Sequence, residues 1–136
     1  MFKVDVMVRP NQDGWWAEIM SLPGCFSHGE SIDELKVNIR EAIDLHLEGL
    51  LDDDEKIADE LIRGEYELDL RINIQDLFEH FPLTVKGVSD RAGMNRTLLN
   101  QYATGKKTMS EKQALRITDV IHRIGTERIQ LQFYTS

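Results

Sequence analysis

The sequence predicts an α+β protein, a layer of three to four strands plus one helix followed by an all-helical domain. Three observations predict it. Apolar residues alternate with a period of two over residues 2–9 and again over residues 66–74, as in half-buried strands. After Ile74 they recur at helical spacing instead. The charge also changes sign near there: residues 1–82 carry seven basic and twenty acidic residues, net −13, and residues 83–136 carry nine basic and four acidic residues, net +5. This divides the chain into residues 1–65 and a second domain, 66–136, with flanking strands.

Composition bounds the class. The 136 residues are 41% apolar and 29% charged, the balance of a globular protein. No apolar run approaches the roughly 20 residues that span a bilayer. The N-terminus reads as a strand and lacks the charged-then-apolar order of a secretory signal, so a cytoplasmic location and no membrane partner are expected. The single cysteine, Cys25, excludes an intrachain disulfide and is expected as a buried thiol. His28, His46, His80 and His122 are too far apart for metal-ligand spacing. No cofactor is expected.

The elements follow in order. Phe2, Val4, Val6 and Val8 alternate with Lys3, Asp5, Met7 and Arg9 in a first strand. Pro10 to Gly14 ends in Asp-Gly, a hairpin signal, and Trp15 to Met20 is the return strand. Leu22-Pro23-Gly24 is a turn, and Cys25 to Gly29 a short third strand. Ser31-Ile32-Asp33-Glu34 is a capping box: the serine accepts from the third helical amide and the glutamate reaches back to the cap. Ile32, Leu35, Ile39, Ala42, Ile43, Leu47 and Leu50 then mark one apolar helix face, with Gly49 as its expected stop. Residues 51–65 are highly charged and read as loop or short helix. Tyr66 to Ile74 alternates as a fourth strand. Helices are expected at Asp76–Phe81, Val85–Ala92, Asn95–Ala103 and Ser110–Ile124, the last ended by Gly125. Arg128–Phe133 alternates again and is expected to pair with 66–74 or across a dimer, because an open apolar edge invites aggregation.

The run Thr84 to Arg96 has the layout of a DNA-reading pair of helices. Gly93 lies where a tight turn needs a left-handed residue, Met94 plugs the turn, and Asn95 caps the next helix. Asn95, Arg96, Thr97, Asn100 and Gln101 are candidate base readers, since amides pair with adenine and arginine with guanine. Lys106 and Lys107 are candidate phosphate contacts. The segment from about Leu83 to Ile129 resembles the Cro/phage-repressor (Xre-like) helix-turn-helix family through Ala92-Gly93-Met94-Asn95-Arg96, Leu99, Tyr102, Gly105-Lys106 and the helix of Leu115 to Ile124. The resemblance implies that the helix starting near Asn95 enters the major groove, and that two copies read two half-sites. A homodimer or higher oligomer is therefore expected. That family often has glutamine just after the threonine as a phosphate contact; Val85 stands there, so that contact does not carry over.

Residues 1–50 carry a second resemblance. Phe2-Lys3-Val4, Gly14-Trp15-Trp16-Ala17-Glu18, Leu22-Pro23-Gly24-Cys25, Gly29-Glu30-Ser31, Ala42 and Leu47-Glu48-Gly49-Leu50 resemble the HicB antitoxin family. The resemblance implies a truncated ribonuclease-H-like layer that neutralises a small basic messenger-RNA-cleaving toxin, HicA, in a chain that represses its own operon through operator DNA. Trp15, Trp16, Glu18, Asp52, Asp53 and Asp54 are the candidate toxin contacts, because aromatic anchors and acids suit a basic partner. Trp15 and Trp16 point to opposite faces, so one of them belongs to the core.

Two other functional classes compete with this reading. Asp5, Glu41, Glu48 and Asp69 offer a carboxylate set for a metal-dependent nuclease, but nothing in the sequence converges them, so no enzyme is expected. A helix-turn-helix regulator with a small-ligand-sensing N-terminal domain is the alternative. The glycines at 14, 24 and 29 form no phosphate-binding loop for such a ligand.

Overall fold

The computed structural model describes residues 1–52 and 56–134; of Asp52 only the backbone is described. The chain forms two compact units, Met1–Asp76 and Leu77–Ser136.

The first unit holds strands β1 (Lys3–Asn11), β2 (Gly14–Ile19) and β3 (Phe26–Gly29), helices α1 (Ile32–Asp52) and α2 (Asp59–Ile62), and strand β4 (Glu67–Ile72). Sheet order is β3-β2-β1-β4. β1 and β2 form the expected hairpin, with Asn11 opposite Gly14, so Gln12 and Asp13 are the turn and Gly14 opens the return strand. The Asn11 side chain accepts from the Asp13 amide at 3.0 Å and braces that turn. β3 pairs antiparallel to β2. β4 runs parallel to β1, with Val4, Val6 and Val8 opposite Leu68, Leu70 and Ile72.

This register puts the alternating apolar set of each strand on one face, where α1 covers it. The core joins Val4, Val6, Val8, Ala17, Ile19, Leu22 and Cys25 to Leu35, Ile39, Ile43 and Leu47, the predicted helix stripe. Ser31 caps α1 by accepting from the Glu34 amide at 3.1 Å. Glu34 reaches back to the amide of Glu30, one residue before the expected partner. Arg40 ties α1 to the start of β4: its guanidinium lies 4.7 Å from the centre of the buried Tyr66 ring and donates to the Tyr66 carbonyl at 3.2 Å.

Several expectations need correction. Gly49 does not stop α1, which runs on to Asp52. A glycine stops a helix by turning left-handed, and Gly49 is not among the positive-φ glycines. The charged segment 51–65 contains the short α2. The strand at 66–74 does not pair with 128–133: β4 has its partner in β1 of the same sheet. Residues 128 and 129 are instead the last turn of a helix, and residues 131–134 have no regular structure.

Helix α3 (Ile74–His80) crosses the division between units. The second unit continues with α4 (Val85–Ala92), α5 (Arg96–Ala103) and α6 (Glu111–Ile129). Gly125 does not end α6, which continues for another four residues to Ile129. Val88, Ala92, Met94, Leu99, Tyr102, Ile117 and Val120 are buried in this unit.

Backbone crowding, open space and burial each set a measurable sensitivity in this unit. A Cβ on Gly14, whose φ is +137°, would lie 2.3 Å from the Gly29 carbonyl oxygen. Gly14→Ala should cost at least about 2 kcal/mol. Gly49 has open space and a helical neighbourhood, so Gly49→Ala should gain about 0.5–1 kcal/mol. Both tryptophans belong to this unit, so the urea midpoint of their fluorescence measures both changes. Burial pushes the Cys25 thiol above its ordinary range. Burial likewise raises Tyr66; the Asp44 charge adds to that, and Arg40 opposes it. The unfolded chain therefore gives up these protons first. Their contribution to stability is complete below the ordinary thiol and phenol ranges and is lost as pH rises through the raised values. Melting temperature should fall over that alkaline window, and less so in Cys25→Ala relative to its own neutral value.

Candidate functional site

Two surfaces collect the candidate residues, one in each unit. In the second unit, Thr84 opens α4 by accepting from the Gly87 amide at 3.0 Å. α4 closes at Gly93, which is left-handed at φ 61°, ψ 35°. Met94 is buried, as a turn plug must be. Asn95 then caps α5, its Oδ1 accepting from the Leu98 amide at 3.1 Å. Arg116 of α6 donates to the Gly93 carbonyl at 3.2 Å and fastens the turn to the third helix. The segment thus turns a corner between two eight-residue helices with its polar groups satisfied.

On α5, Leu99 and Tyr102 point inward. Arg96, Thr97 and Asn100 are exposed on the opposite side, and Gln101 is half-buried. Asn95 is exposed, but its amide oxygen serves the cap, so a bidentate pair with adenine would break that bond. Lys106 and Lys107 are exposed in the loop beyond α5, and both their amides donate to the Gln101 carbonyl, at 2.8 and 3.1 Å. The six residues Arg96, Thr97, Asn100, Gln101, Lys106 and Lys107 are therefore borne by one helix and the loop that folds back on its end. Sequence analysis did not single out Arg116, because its role is a tertiary bond to a turn carbonyl. Residues 77–136 carry nine basic and five acidic residues, net +4.

In the first unit, the candidates divide between the faces of the sheet. Trp15 packs against the core. Trp16 lies on the other face, where its ring stacks on Phe26 with centroids 5.4 Å apart. Phe26 is about half exposed. Glu18, opposite Met7 on one side and Phe26 on the other, belongs to the same face. Phe26, His28, Met7 and Arg9 thus join Trp16 and Glu18, a grouping visible only once the strand register is known. Further along that face Asp5 and Asp69 are register partners, and Arg71 reaches both, at 3.8 Å and 2.9 Å. The sheet does bring these two carboxylates together, and the cation between them is the chain's own arginine. No cluster of three or more metal-ligating side chains occurs among the described residues. Asp53 and Asp54 lie outside the described residues, and of Asp52 only its place at the end of α1 is given. Residues 1–76 carry seven basic and nineteen acidic residues, net −12.

The turn geometry predicts its own sensitivities. Gly93→Ala must hold a side chain left-handed and should cost about 1–2 kcal/mol. Asn95→Ala loses the cap and should cost about 1 kcal/mol. Both should lower the melting of the second unit, measured by amide exchange, while the tryptophan transition of the first stays in place.

Known proteins match the first unit. Residues 4–65 match the family model for the HicB_like antitoxin of bacterial toxin-antitoxin systems. The chain is similar to a 14.9 kDa protein from the rep-hol intergenic region of Haemophilus phage HP1, 38% identical over 52 residues, or 38% of this chain and 39% of the phage protein. It thus spans well under half of that relative. It is also similar to a UPF0150 protein of Thermoplasma acidophilum, 38% identical over 56 residues, covering 40% of this chain and 81% of that one. A UPF0150 protein of Archaeoglobus fulgidus is 38% identical over 47 residues, 34% of this chain and 68% of its own length. No helix among the described residues is long and apolar enough to cross a membrane. With its sheet-and-helix unit matched in this way, the chain belongs, with the UPF0150 proteins, to the HicB-like antitoxin family of bacterial toxin-antitoxin systems.

Proposed function

We propose that this chain neutralises a small basic, HicA-like messenger-RNA-cleaving toxin through its first unit and represses its own operon through its second. In this reading the first unit is a truncated ribonuclease-H-like layer, and α4 and α5 are an Xre-like helix-turn-helix. The observation that carries the toxin half is a sheet face bearing the Trp16–Phe26 stack in a unit of net −12. A toxin that grips RNA must itself be basic, and such a partner is drawn in by opposite charge and held by aromatic anchors. Neutralisation is then steric, the antitoxin covering the toxin's RNA-binding surface.

The repressor half is supported by α5. Its start follows a left-handed turn, its inner side is buried, and Arg96, Thr97 and Asn100 are exposed together in a unit of net +4. Arg96 and Asn100 read base edges, Lys106 and Lys107 hold phosphates, and two chains read two half-sites.

The experiment combines both halves. Arg96→Ala with Asn100→Ala should weaken binding to the chain's own promoter fragment by about 30- to 30,000-fold, at about 1–3 kcal/mol for each of the two lost base contacts. Toxin co-purification should be unchanged. Trp16→Ala with Glu18→Lys should do the reverse. Wild-type DNA affinity should fall steeply with salt as counterions are released. A double variant of α5 that loses toxin binding while remaining folded would overturn the division of labour; a salt-independent DNA affinity would overturn the phosphate contacts.

A further inference from the structure

Between α1 and β3, the strand at one edge of the sheet, runs a groove of about 510 Å³. Phe26 lines it from β3, and Ala42, Leu45, Gly49 and Leu50 line it from α1. Two of these side chains open to solvent, Phe26 at 49% and Leu45 at 71% exposure. One exposed leucine is ordinary, but an exposed apolar pair across a hollow marks a contact surface. Gly49 is a second sign. A glycine within a helix costs about 1 kcal/mol relative to alanine, and a Cβ here would meet nothing in the chain. No packing inside the unit calls for glycine, and its bare backbone leaves the groove open. Charge is a third. Residues 41–52 of α1 include Glu41, Asp44, Glu48 and Asp52 and no Lys or Arg. Acids near a helix C-terminus oppose its dipole, a cost that a cation from outside relieves. Glu41 and Glu48 flank Leu45, four residues before it and three after, on one side of the helix.

We propose that this groove receives an apolar side chain of the basic toxin, with a Lys or Arg of the toxin beside it on Glu41 and Glu48. The partner's identity rests on the toxin reading above. Charge selects this occupant: the acids flanking the groove attract a basic protein and repel nucleic acid or another unit of net −12. The groove is also continuous with the sheet face, because the Phe26 ring that lines it stacks on Trp16. The toxin therefore wraps the β3 edge instead of lying on the face alone. Side chains make the contact. The His28 carbonyl already accepts from the Asn38 side chain of α1 at 2.7 Å, so a partner strand adding there would have to break that bond.

Titration calorimetry of the full chain with an inactivated HicA-like toxin from its own operon tests this. Gly49→Leu fills the groove and should weaken binding about 30-fold, the loss of one hot-spot contact. Leu45→Lys should weaken it at least as much, since it removes the apolar contact and repels the partner. This variant keeps its fold, because a lysine there pairs with Glu41 one turn earlier. Its melting temperature should match or exceed that of wild type. A folded variant of either kind that binds like wild type overturns the groove. If Trp16→Ala with Glu18→Lys still weakens binding in that case, the sheet-face reading stands without it. The opposite result, loss in the groove variants alone, keeps the groove and sinks the sheet-face anchor. A wild type that binds no toxin overturns both. Light scattering that shows wild-type dimers and single Leu45→Lys chains would put a second copy in the groove and overturn the toxin as its occupant.

Discussion

The arrangement of the first unit depends on two close approaches of bare backbone. Gly14, at the start of β2, lies so near the end of β3 that a Cβ would sit 2.3 Å from the Gly29 carbonyl oxygen. Gly29 in turn lies against the first turn of α1, where a Cβ would sit 2.5 Å from the Leu35 amide nitrogen. Three elements therefore meet at one corner without side chains between them. The chain leaves β3 and enters α1 almost at once, with Ser31 capping. α1 is thereby laid across one face of the sheet, and its Leu35, Ile39, Ile43 and Leu47 stripe falls on Val4, Val6, Ala17 and Ile19. The other face carries Trp16, Glu18, Phe26 and His28. The candidate toxin-facing surface is thus the consequence of where two glycines allow the helix to start.

Much of this was legible because the relevant signals are local. Period-two alternation located β1 and β4, and the Ser31 and Ser110 caps marked the starts of α1 and α6. Gly93 and Asn95 set the end of α4 and the beginning of α5, since capping is decided by residues three or four apart. What was not legible depended on distance along the chain. The parallel pairing of β4 with β1 joins residues more than sixty positions apart, and alternation alone does not name a strand's partner. The same pairing created the Asp5–Arg71–Asp69 contact, so two of the four carboxylates that looked scattered in sequence share one face.

Gly49 and Gly125 misled for a different reason. A glycine ends a helix only when its backbone turns left-handed, as Gly93 does beside the buried Met94. The residue type permits that turn without imposing it. Alternation at 128–133 misled similarly: the first two of those residues complete α6. In Trp15 and Trp16, by contrast, sequence reasoning found the division correctly and lacked only the assignment. Trp15 is the one against the core and Trp16 the one stacked on Phe26.

The two units differ in the sign of their charge, and that difference bears on what each can attract. Folding a net −12 unit already sets like charges near one another, and two such units facing each other would repel. The same field favours a basic protein. A net +4 unit behaves oppositely, suiting phosphate and opposing a basic protein.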